Sequence, residues 1–317
     1  MPHAEVVCAG LLVADAICRG VRELPGPGKL ALVDGIVLKT GGCALNAAIT
    51  LARAGARSAL VGRVGDDPFA DFLLGAARAE GIDLRVRRDP GAATSASVVL
   101  VSPDGERSFL HHAGANARFA LEDIPFEDLA GARFFHLAGA FVMDALDGRP
   151  GAEALRRARI EGLATSLDTV WDARGRWLGL LEPMLAHVDV FMPSAAEAEM
   201  ISGRKRPEDV ARFFLDRGVG AVALKRGPLG AYVTDGRETI DLKAFPVGVV
   251  DATGAGDAFA GGFLAARARG LGLKASAVLG NAAGAACVTA LGAVPPFRTF
   301  EELESFVPEE HRCLFTR

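Results

Sequence analysis

The stretch Val250-Asp251-Ala252-Thr253-Gly254-Ala255-Gly256-Asp257-Ala258-Phe259, followed by a helical run over residues 260–269, is the most informative part of the sequence. Glycines at positions 254 and 256 let backbone N–H groups converge where a helix begins, and anions bind favourably at such a helix start. A phosphoryl group in transfer is the natural occupant. Asp257 is predicted in the first turn, where it would take the proton of a hydroxyl that attacks phosphorus. Taken alone, the pattern favours a tight turn with a structural first-turn carboxylate.

A second element lies far upstream. Thr40-Gly41-Gly42-Cys43-Ala44-Leu45-Asn46 runs into an Ala-rich helix, and Gly62-Arg63-Val64-Gly65-Asp66-Asp67 follows it. Paired glycines let a small ligand approach the backbone, and Asn46, one turn into the helix, can donate to and accept from a vicinal diol. With both elements in this order, the sequence resembles the ribokinase-like, PfkB-type carbohydrate kinases. GG-x3-N with G-x-x-G-x-D resembles the first family signature, D-x-T-G-A-G-D-x-F resembles the second, and the resemblance covers essentially the whole chain.

The resemblance implies an ATP-dependent kinase that transfers the γ-phosphoryl group to a hydroxyl of a small sugar, as ribokinases and fructokinases do. Asp257 would be the catalytic base, and the backbone of Gly254, Ala255 and Gly256 would form the anion hole. The positions that match the family's sugar contacts are Asp15, Gly41, Gly42, Asn46 and Asn116. Carboxylate and amide groups bind hydroxyls well, so these residue types suit a sugar. For Asp15, a strand-end carboxylate in a turn is the alternative interpretation.

The nucleotide half matches the family less closely. Met192-Pro193-Ser194-Ala195-Ala196-Glu197 resembles the family's N-x-x-E motif, with Ser194 in place of Asn and with Glu197 implied to hold Mg²⁺ through water. Lys225-Arg226-Gly227-Pro228-Leu229-Gly230 resembles the family's nucleotide loop. Lys225 replaces a common Thr there, and it either pairs with a phosphate or is a solvated strand-end lysine. The residues of the two motifs implied to bind the nucleotide are Ser194, Lys225, Gly227 and Gly230.

Several further positions depend on the resemblance alone or depart from it. Asn281 matches a position near the adenine in relatives, with an amide packed between helices as the alternative. Asp251 and Thr253 match positions whose backbone helps to hold K⁺ in several relatives. Asp168-Thr169-Val170-Trp171-Asp172 partly resembles a D-x-N-x-R element of sugar kinases, but Val and Asp replace its Asn and Arg. The contact usually made by that Arg is therefore not expected here.

Short β-like runs alternate with amphipathic or Ala-rich helical runs, which predicts an α/β fold with a mostly parallel sheet in a three-layer α/β/α body. Residues 11–39 and 95–112 break this alternation with hairpin-like β runs. They are predicted to form a small β-sheet inserted in a single ribokinase-like domain of residues 1–317. In relatives such a sheet is a lid and often a dimer contact, so the resemblance implies a homodimer through the lid. Candidate strands lie at residues 59–64, 133–137, 163–168, 188–192 and 219–225, and candidate helices at 43–54, 68–80, 152–161, 176–186 and 207–217.

Composition excludes several classes of protein. Of 317 residues, 50% are hydrophobic and 23% are charged, with 38 Gly and 16 Pro, which rules out a disordered or collagen-like chain. A formal net charge of −4 and the lack of a basic run disfavour nucleic acid and anionic membranes as partners. Five widely spaced cysteines without C-x-x-C spacing predict free thiols in a reducing cytoplasm. The uncharged segment 275–297 is predicted to be a packed helix and not a membrane span.

Several functions remain as alternatives. Within the same family, a nucleoside, a sugar acid such as 2-keto-3-deoxygluconate or a phosphosugar would be the acceptor. The last two require a pocket cation, for which Arg107 and Lys39 are candidates. An NAD-dependent oxidoreductase is disfavoured because residues 254–256 lack the third glycine and the acidic ribose binder about 20 residues on. A non-catalytic sugar or nucleotide sensor is disfavoured because Asp257 is present. A P-loop kinase is excluded, since no G-x-x-x-x-G-K-[ST] occurs.

Overall fold

The computed structural model of the protein describes residues 4–103, 107–129 and 131–315. Within these residues the chain alternates strands and helices over most of its length. In chain order the strands are β1 (Val6–Gly10), β2 (Val13–Arg19), β3 (Gly35–Gly41), β4 (Ser58–Gly65), β5 (Asp83–Asp89), β6 (Ala96–Val101), β7 (Arg107–His112), β8 (Phe134–Ala140), β9 (Ala164–Thr169), β10 (Val190–Phe191), β11 (Ala221–Lys225), β12 (Ala231–Thr234) and β13 (Thr239–Leu242). The helices are α1 (Cys43–Arg53), α2 (Pro68–Ala79), α3 (Arg149–Ile160), α4 (Trp177–Leu185), α5 (Ala195–Ser202), α6 (Pro207–Leu215), α7 (Ala255–Ala268), α8 (Leu273–Cys287), α9 (Phe300–Glu304) and α10 (Glu309–Arg312).

The central sheet has nine strands in the order β13-β12-β11-β10-β9-β8-β1-β4-β5. The pairs from β5 to β11 are parallel, and β12 and β13 extend the sheet as antiparallel strands. The chain leaves β1 towards β4 on one side and later adds β8 on the other. In such sheets a crevice opens beyond the carboxyl ends of the strands where the order reverses, and ligands bind there.

Helices cover both faces of the central sheet. In β1, Val6 and Cys8 pack into one apolar cluster with α1, α2, α7 and α8. Val7 and Ala9 point the other way into a second cluster with α3, α4, α5 and α6. Successive side chains of a strand alternate between faces, so two apolar sets from one strand require two covering layers. The expected three-layer α/β/α body is confirmed.

A second sheet of four strands, here called the lid sheet, has the order β3-β2-β6-β7. It is built from the two segments that broke the α/β rhythm, so the prediction of a small inserted sheet is confirmed. The register places Asp15 opposite Lys39 on one side and Ser97 on the other, with His111 next to Ser97. These four side chains form a polar row across one face. The adjacent row, on the opposite face, consists of Leu38, Ala16, Val98 and Leu110.

Element boundaries differ from the sequence-based predictions mainly at the ends. Helix α1 covers all but the last residue of the predicted range 43–54, and α7 begins five residues before the predicted run 260–269. The uncharged segment 275–297 contains most of α8 and then an irregular loop, in which Gly292 has φ 101°. Among the described residues, no helix is long and apolar enough to cross a membrane. Residues 104–106, between β6 and β7, lie outside the described residues.

Candidate active site

The start of helix α7 has the geometry of an anion site. Gly254 caps the helix with φ 74°, in the left-handed region, and a Cβ at this position would overlap Ala293. The first hydrogen bond of the helix runs from the N–H of Ala258 to the carbonyl of Gly254, at 2.8 Å. The N–H groups of residues 255–257 therefore precede the regular helix ladder. This end also carries the positive pole of the helix dipole, so a bound anion is favoured.

Asp257 lies in the first turn of α7, as predicted. Its carboxylate accepts a 2.8 Å hydrogen bond from the Asn46 amide nitrogen on α1. The two helices approach closely enough that a Cβ at Gly261 would lie 2.6 Å from the Cβ of Thr50. The two signature motifs, 211 residues apart, therefore meet in one site. Asn46 is only 2% exposed, and within the described residues its amide oxygen has no hydrogen-bond partner, so this oxygen is available to accept a hydrogen bond.

The environment of Asp257 raises the pKa of its carboxyl group. Burial is the largest cause, and hydrogen bonds from Asn46 and Cys43 and the charge of Lys225 oppose it. A carboxylate with a raised pKa is a stronger base than an exposed one. Proton transfer is most efficient when the pKa of the base lies nearer the working pH. The setting of Asp257 therefore suits a general base.

Asp15 and the paired glycines form the wall that faces Asp257. The Asp15 carboxylate lies against Gly41, where a Cβ would overlap it, and Gly42 begins α1 with φ 92°. Burial raises the pKa of Asp15 to about 6, a hydrogen bond from Ser97 lowers it, and the charge of Asp257 raises it. The charge of Asp257 therefore acts on the Asp15 carboxylate, so the two groups lie near each other.

Asn116 lies at the base of the lid sheet and is 1% exposed. Its amide nitrogen donates to the carbonyl of Leu12 at 3.0 Å, and its amide oxygen accepts from the Leu12 N–H at 3.3 Å. Its own N–H donates to the hydroxyl of Ser95, which in turn donates to the carbonyl of Ala113. Asn116 thus joins the starts of β2 and β6 to the end of β7, next to the cavity.

Lys225, the last residue of β11, is on the nucleotide side. Its ammonium nitrogen donates to both carboxylate oxygens of Asp168 at 2.7 Å each. The side chains are 12% and 2% exposed, so the alternative of a solvated strand-end lysine is wrong. Burial alone would lower the pKa of Lys225, but the charges of Asp168, Glu197 and Asp257 outweigh it, so the pKa is raised.

Ser194 and Glu197 form a capping box at the start of α5. The Glu197 N–H donates to the Ser194 hydroxyl at 3.3 Å, and the Ser194 N–H donates to the Glu197 carboxylate at 3.0 Å. The Thr169 hydroxyl donates to the same carboxylate oxygen at 3.0 Å. Ser194 thus supplies the helix cap that an Asn would supply, which explains why the substitution keeps the local structure.

The loop predicted to hold the nucleotide follows β11. Gly227 begins a 3-10 turn that ends at Leu229, and Gly230 follows it. Asn281, on α8, donates to the carbonyl of Lys243 at 2.8 Å and so ties that helix to the strand-end segment after β13. The loop, the segment and α8 border the same end of the sheet.

Asp251 and Thr253 lie in the loop that leads into α7. The Asp251 carboxylate accepts from the N–H and hydroxyl of Thr253, at 2.9 and 2.7 Å, and from the N–H of Gly292, at 2.9 Å. The thiol of Cys287 donates to the carbonyl of Thr253 at 3.4 Å. The loop before the anion site is thereby fastened to the loop after α8.

The comparison with protein families agrees with this geometry. The sequence model of the pfkB family carbohydrate kinases matches residues 3–299. The chain belongs to this family. A pfkB family carbohydrate kinase is a phosphotransferase with an alcohol group as acceptor.

Individual relatives of this pfkB family kinase have different sugar substrates in their names. The chain is 30% identical over 288 residues to a 2-dehydro-3-deoxygluconokinase of Thermoproteus tenax, covering 87% of this chain and 89% of the relative. It is 29% identical over 323 residues to a probable chloroplastic fructokinase-6 of Arabidopsis thaliana, covering 93% and 80%. A solved putative ribokinase II of E. coli in complex with ATP and Mg²⁺ is 25% identical, with a TM-score of 0.81 and coverage of 96% and 98%.

The donor groups of this pfkB family kinase fit a magnesium ion held mainly by phosphate and water. Among the described residues, no group of three or more His, Cys, Asp or Glu side chains is arranged to hold a metal by itself. Mg²⁺ keeps several waters and binds through one or two carboxylates plus substrate phosphates. Glu197, fixed by the hydroxyl of Thr169, is a carboxylate suited to that role.

The sequence analysis missed the partner of Lys225. Asp168 was noted only as part of an incomplete D-x-N-x-R element. Asp168 is the last residue but one of β9 and Lys225 is the last residue of β11, and the carboxyl ends of these strands lie at the same edge of the sheet, separated by β10. Opposite charges at two such strand ends were a usable signal for a pair. The thiol of Cys43, which hydrogen-bonds to Asp257, left no comparable signal.

Proposed function

We propose that this pfkB family kinase transfers the γ-phosphoryl group of ATP to a hydroxyl of a small unphosphorylated sugar, with Asp257 as the general base. The observation that carries the proposal is the 2.8 Å contact between Asn46 and Asp257 at the start of α7. It joins a group that binds hydroxyls, a base and a phosphate-binding helix start in one cavity. Ribose-like and fructose-like sugars fit this arrangement best.

In the proposed reaction, Asp257 accepts the proton of the sugar hydroxyl while the hydroxyl oxygen forms a bond to the γ-phosphorus. The bond between that phosphorus and the bridging oxygen breaks, and ADP leaves with the electron pair. The backbone N–H groups of Gly254, Ala255 and Gly256 stabilise the charge on the transferred group. The proton leaves Asp257 to solvent after the phosphosugar departs.

The sugar is proposed to bind between the lid sheet and α1. Asp15 and the amide of Asn46 would contact its hydroxyls, with Gly41 and Gly42 allowing close approach, and Asn116 would hold the wall behind Leu12. Two neighbouring carboxylates, Asp15 and Asp257, disfavour an anionic group near the reacting hydroxyl. This electrostatic argument supports an uncharged acceptor over a phosphosugar.

A sugar acid is the second candidate acceptor, because a cation lies on the same face of the lid sheet. Lys39 is directly opposite Asp15 in the register, and its side-chain carbons lie 3.4–3.7 Å from a Cβ placed at Gly292. Within the described part of the chain, no ion pair is formed by its ammonium. The side chain of Arg107, the other proposed cation, lies outside the described residues.

The nucleotide is proposed to bind along the ends of β10 and β11 and against α8, with Mg²⁺ held through water by Glu197. The ion would neutralise polyphosphate charge so that an oxygen nucleophile can approach. Asp251 and Thr253 are proposed to offer backbone carbonyls to K⁺. The nucleotide contacts in this proposal are Ser194, Lys225, Gly227, Gly230 and Asn281.

A homodimer through the lid sheet is also proposed. Leu38, Val98 and Leu110 are exposed in one row of the face opposite Asp15. Covering such a row with a second copy would remove apolar area from water. The single domain of residues 1–317 and the cytoplasmic location stay predictions, as does the absence of nucleic-acid and membrane partners.

A coupled ADP-release screen tests the acceptor class. It compares ribose, fructose, 2-keto-3-deoxygluconate, nucleosides and fructose phosphates at equal concentrations with the sugar-free rate. Ribose or fructose is expected to give the highest kcat/KM. If the enzyme prefers 2-keto-3-deoxygluconate and Lys39→Met loses that preference, the proposed acceptor becomes a sugar acid instead of a neutral sugar. No acceptor above the sugar-free rate would contradict the proposed substrate class.

A further inference from the structure

The pair formed by Lys225 and Asp168 is unusually placed for a structural ion pair. A buried ion pair rarely adds stability over apolar residues, because both charges lose their hydration. This one lies at the carboxyl edge of the sheet, where β9 and β11 end, and not in the apolar clusters. Its location therefore calls for a functional explanation.

The ammonium of Lys225 lies beside the anion site. A Cβ placed on Gly256 would be 3.1 Å from the Lys225 nitrogen, so the missing side chain leaves the ammonium next to the first turn of α7. The N–H of Gly256 belongs to the group that precedes the helix ladder. An anion bound at that helix start would therefore be within reach of both the backbone donors and the ammonium.

The hydrogen-bond capacity of the ammonium leaves one donor for a ligand. A lysine ammonium has three N–H donors. Two are directed at the two oxygens of Asp168, both at 2.7 Å. The Asp168 carboxylate is itself fixed by the N–H of Thr169, at 2.8 Å, so the direction of the pair is set by the end of β9.

The charges near the start of α7 also favour a contact between Lys225 and a bound anion. Asp168 contacts the Lys225 ammonium, and the charges of Glu197 and Asp257 also act on it, so three carboxylates influence one ammonium. A phosphoryl group entering this negative environment requires compensating positive charge. Lys225 is the basic side chain that the geometry brings to the start of α7.

We propose that Lys225 is a catalytic residue that donates a charge-assisted hydrogen bond to the phosphoryl group during its transfer, and that Asp168 is its positioning residue. This assigns the lysine to the reacting phosphoryl group and not only to the nucleotide loop. Thr169 holds Glu197 while Asp168 holds Lys225, so two adjacent residues of β9 fix the ammonium and the magnesium-side carboxylate relative to each other. The step adds no co-reactant, because the lysine keeps its proton throughout.

The first experiment compares Lys225→Met and Lys225→Arg with the wild type in kcat, both KM values, the Kd for Mg²⁺-ATP and the melting temperature. Loss of one preorganised donor is expected to lower kcat by about 10²–10³ in Lys225→Met. The KM for the sugar should change little, and Lys225→Arg should recover part of the rate. Arg53→Met is the matched control, since Arg53 is 11% exposed, lies at the end of α1 opposite Gly42, and pairs with Glu80. It should lose melting temperature and keep kcat.

The second experiment separates catalysis from folding. If Lys225→Met destabilises the protein by leaving Asp168 unpaired, the double variant Lys225→Met/Asp168→Asn removes both buried charges and should recover the melting temperature. We expect its kcat to stay low. Recovery of kcat with the fold, or a normal kcat in Lys225→Met, would overturn the proposal.

The pH profile tests the positioning role of Asp168. In Asp168→Asn the ammonium loses its nearest carboxylate, so the pKa of Lys225 falls and the basic limb of kcat moves to lower pH. We also expect kcat to drop by about tenfold or more from misplacement of the ammonium. An unchanged basic limb in the folded variant would overturn the positioning role, because a structural pair alone would leave that limb in place.

Discussion

The two sides of the active site differ in how their charges are partnered. On the sugar side, Asp15 and Asp257 accept hydrogen bonds from neutral groups, the hydroxyl of Ser97 and the amide of Asn46. On the nucleotide side, the ammonium of Lys225 is paired with a carboxylate. Carboxylates with neutral partners can accept hydrogen bonds and a proton from a polyol, whereas an oriented ammonium offers a fixed charge to a phosphate. The difference supports the proposal that proton acceptance and charge neutralisation take place on opposite walls of the site.

Removal of the divalent ion should have the largest effect, and it acts on the nucleotide side alone. Turnover is expected to stop in excess chelator, since the polyphosphate charge is then not neutralised. Sugar binding, measured by calorimetry without nucleotide, should be unaffected. Unchanged turnover in chelator would contradict the assignment of Mg²⁺.

Asp257→Asn tests the boundary between the two sides. Asn has the same shape and can still accept from Asn46, so the helix start and both ligand affinities should survive. Proton acceptance is lost, which is expected to lower kcat by about 10²–10⁴. The measurements are kcat, both KM values and the melting temperature. A fully active variant would show that Asp257 is only a first-turn carboxylate.

Glu197→Gln tests whether Glu197 acts on Mg²⁺ binding and not on sugar binding. The Gln side chain can keep the contacts to Thr169 and the Ser194 N–H, so the helix cap should remain. Loss of the charge is expected to raise the Mg²⁺ concentration for half-maximal rate by about tenfold. The KM for the sugar should stay close to the wild-type value. An effect confined to the KM for the sugar would contradict the assignment of Glu197 to Mg²⁺ and would place Glu197 on the sugar side.

The pH dependence of sugar binding tests the opposite wall. Burial raises the pKa of Asp15 to about 6, so in the free enzyme its carboxylate forms between pH 5 and 7. Sugar affinity is expected to rise by several-fold over that interval and to level above it, and Asp15→Asn should show no such rise. Ser97→Ala removes the hydrogen bond that lowers this pKa, so the rise should move to higher pH.

The same shift has a consequence for stability. The pKa of Asp15 in the folded protein, about 6, lies above its usual 3.8, so the folded state favours the protonated form. The stability contributed by Asp15 is therefore present below pH 4 and is lost as the pH rises through 6. Asp15→Asn should melt at a higher temperature than the wild type at pH 8 and at a similar one at pH 4. A lower melting temperature at pH 8 would contradict this sign.

Sequence reasoning predicted the two helix starts that carry Asn46 and Asp257, because such starts are coded locally. Gly42 and Gly254 mark helix starts. Asn46 follows Gly42 by four residues, and Asp257 follows Gly254 by three. The same logic predicted the parallel body and the inserted lid sheet, since hydrophobic period and turn residues are local signals. Strands β5, β12 and β13 were not predicted. In β5, exposed Arg and Asp residues hide the strand pattern.

The nucleotide side was predicted less well because its contacts depend on which strand ends become neighbours. The pairing of Lys225 with Asp168 follows from the order β11-β10-β9 and from side-chain packing, neither of which a motif encodes. Ser194, in contrast, has a role that the sequence did encode but that was not predicted. Its role as a helix cap follows from residue type and spacing to Glu197, yet the sequence reading gave it only a nucleotide contact.

The lid sheet carries Asp15 on one face and an apolar row on the other, and this row gives the prediction with the smallest expected effect on kcat. Leu110→Asp places a charge in the row formed with Val98 and Leu38, so a dimer built on that row should dissociate. Sedimentation at micromolar concentration should show a dimer for the wild type and a monomer for this variant. Ile160→Asp, at an exposed position on α3, is the control and should remain a dimer. The sugar KM should rise in Leu110→Asp if the partner steadies the lid, while the KM for ATP should not change. A wild-type monomer would remove the dimer from the proposal and leave the lid sheet to act within one chain.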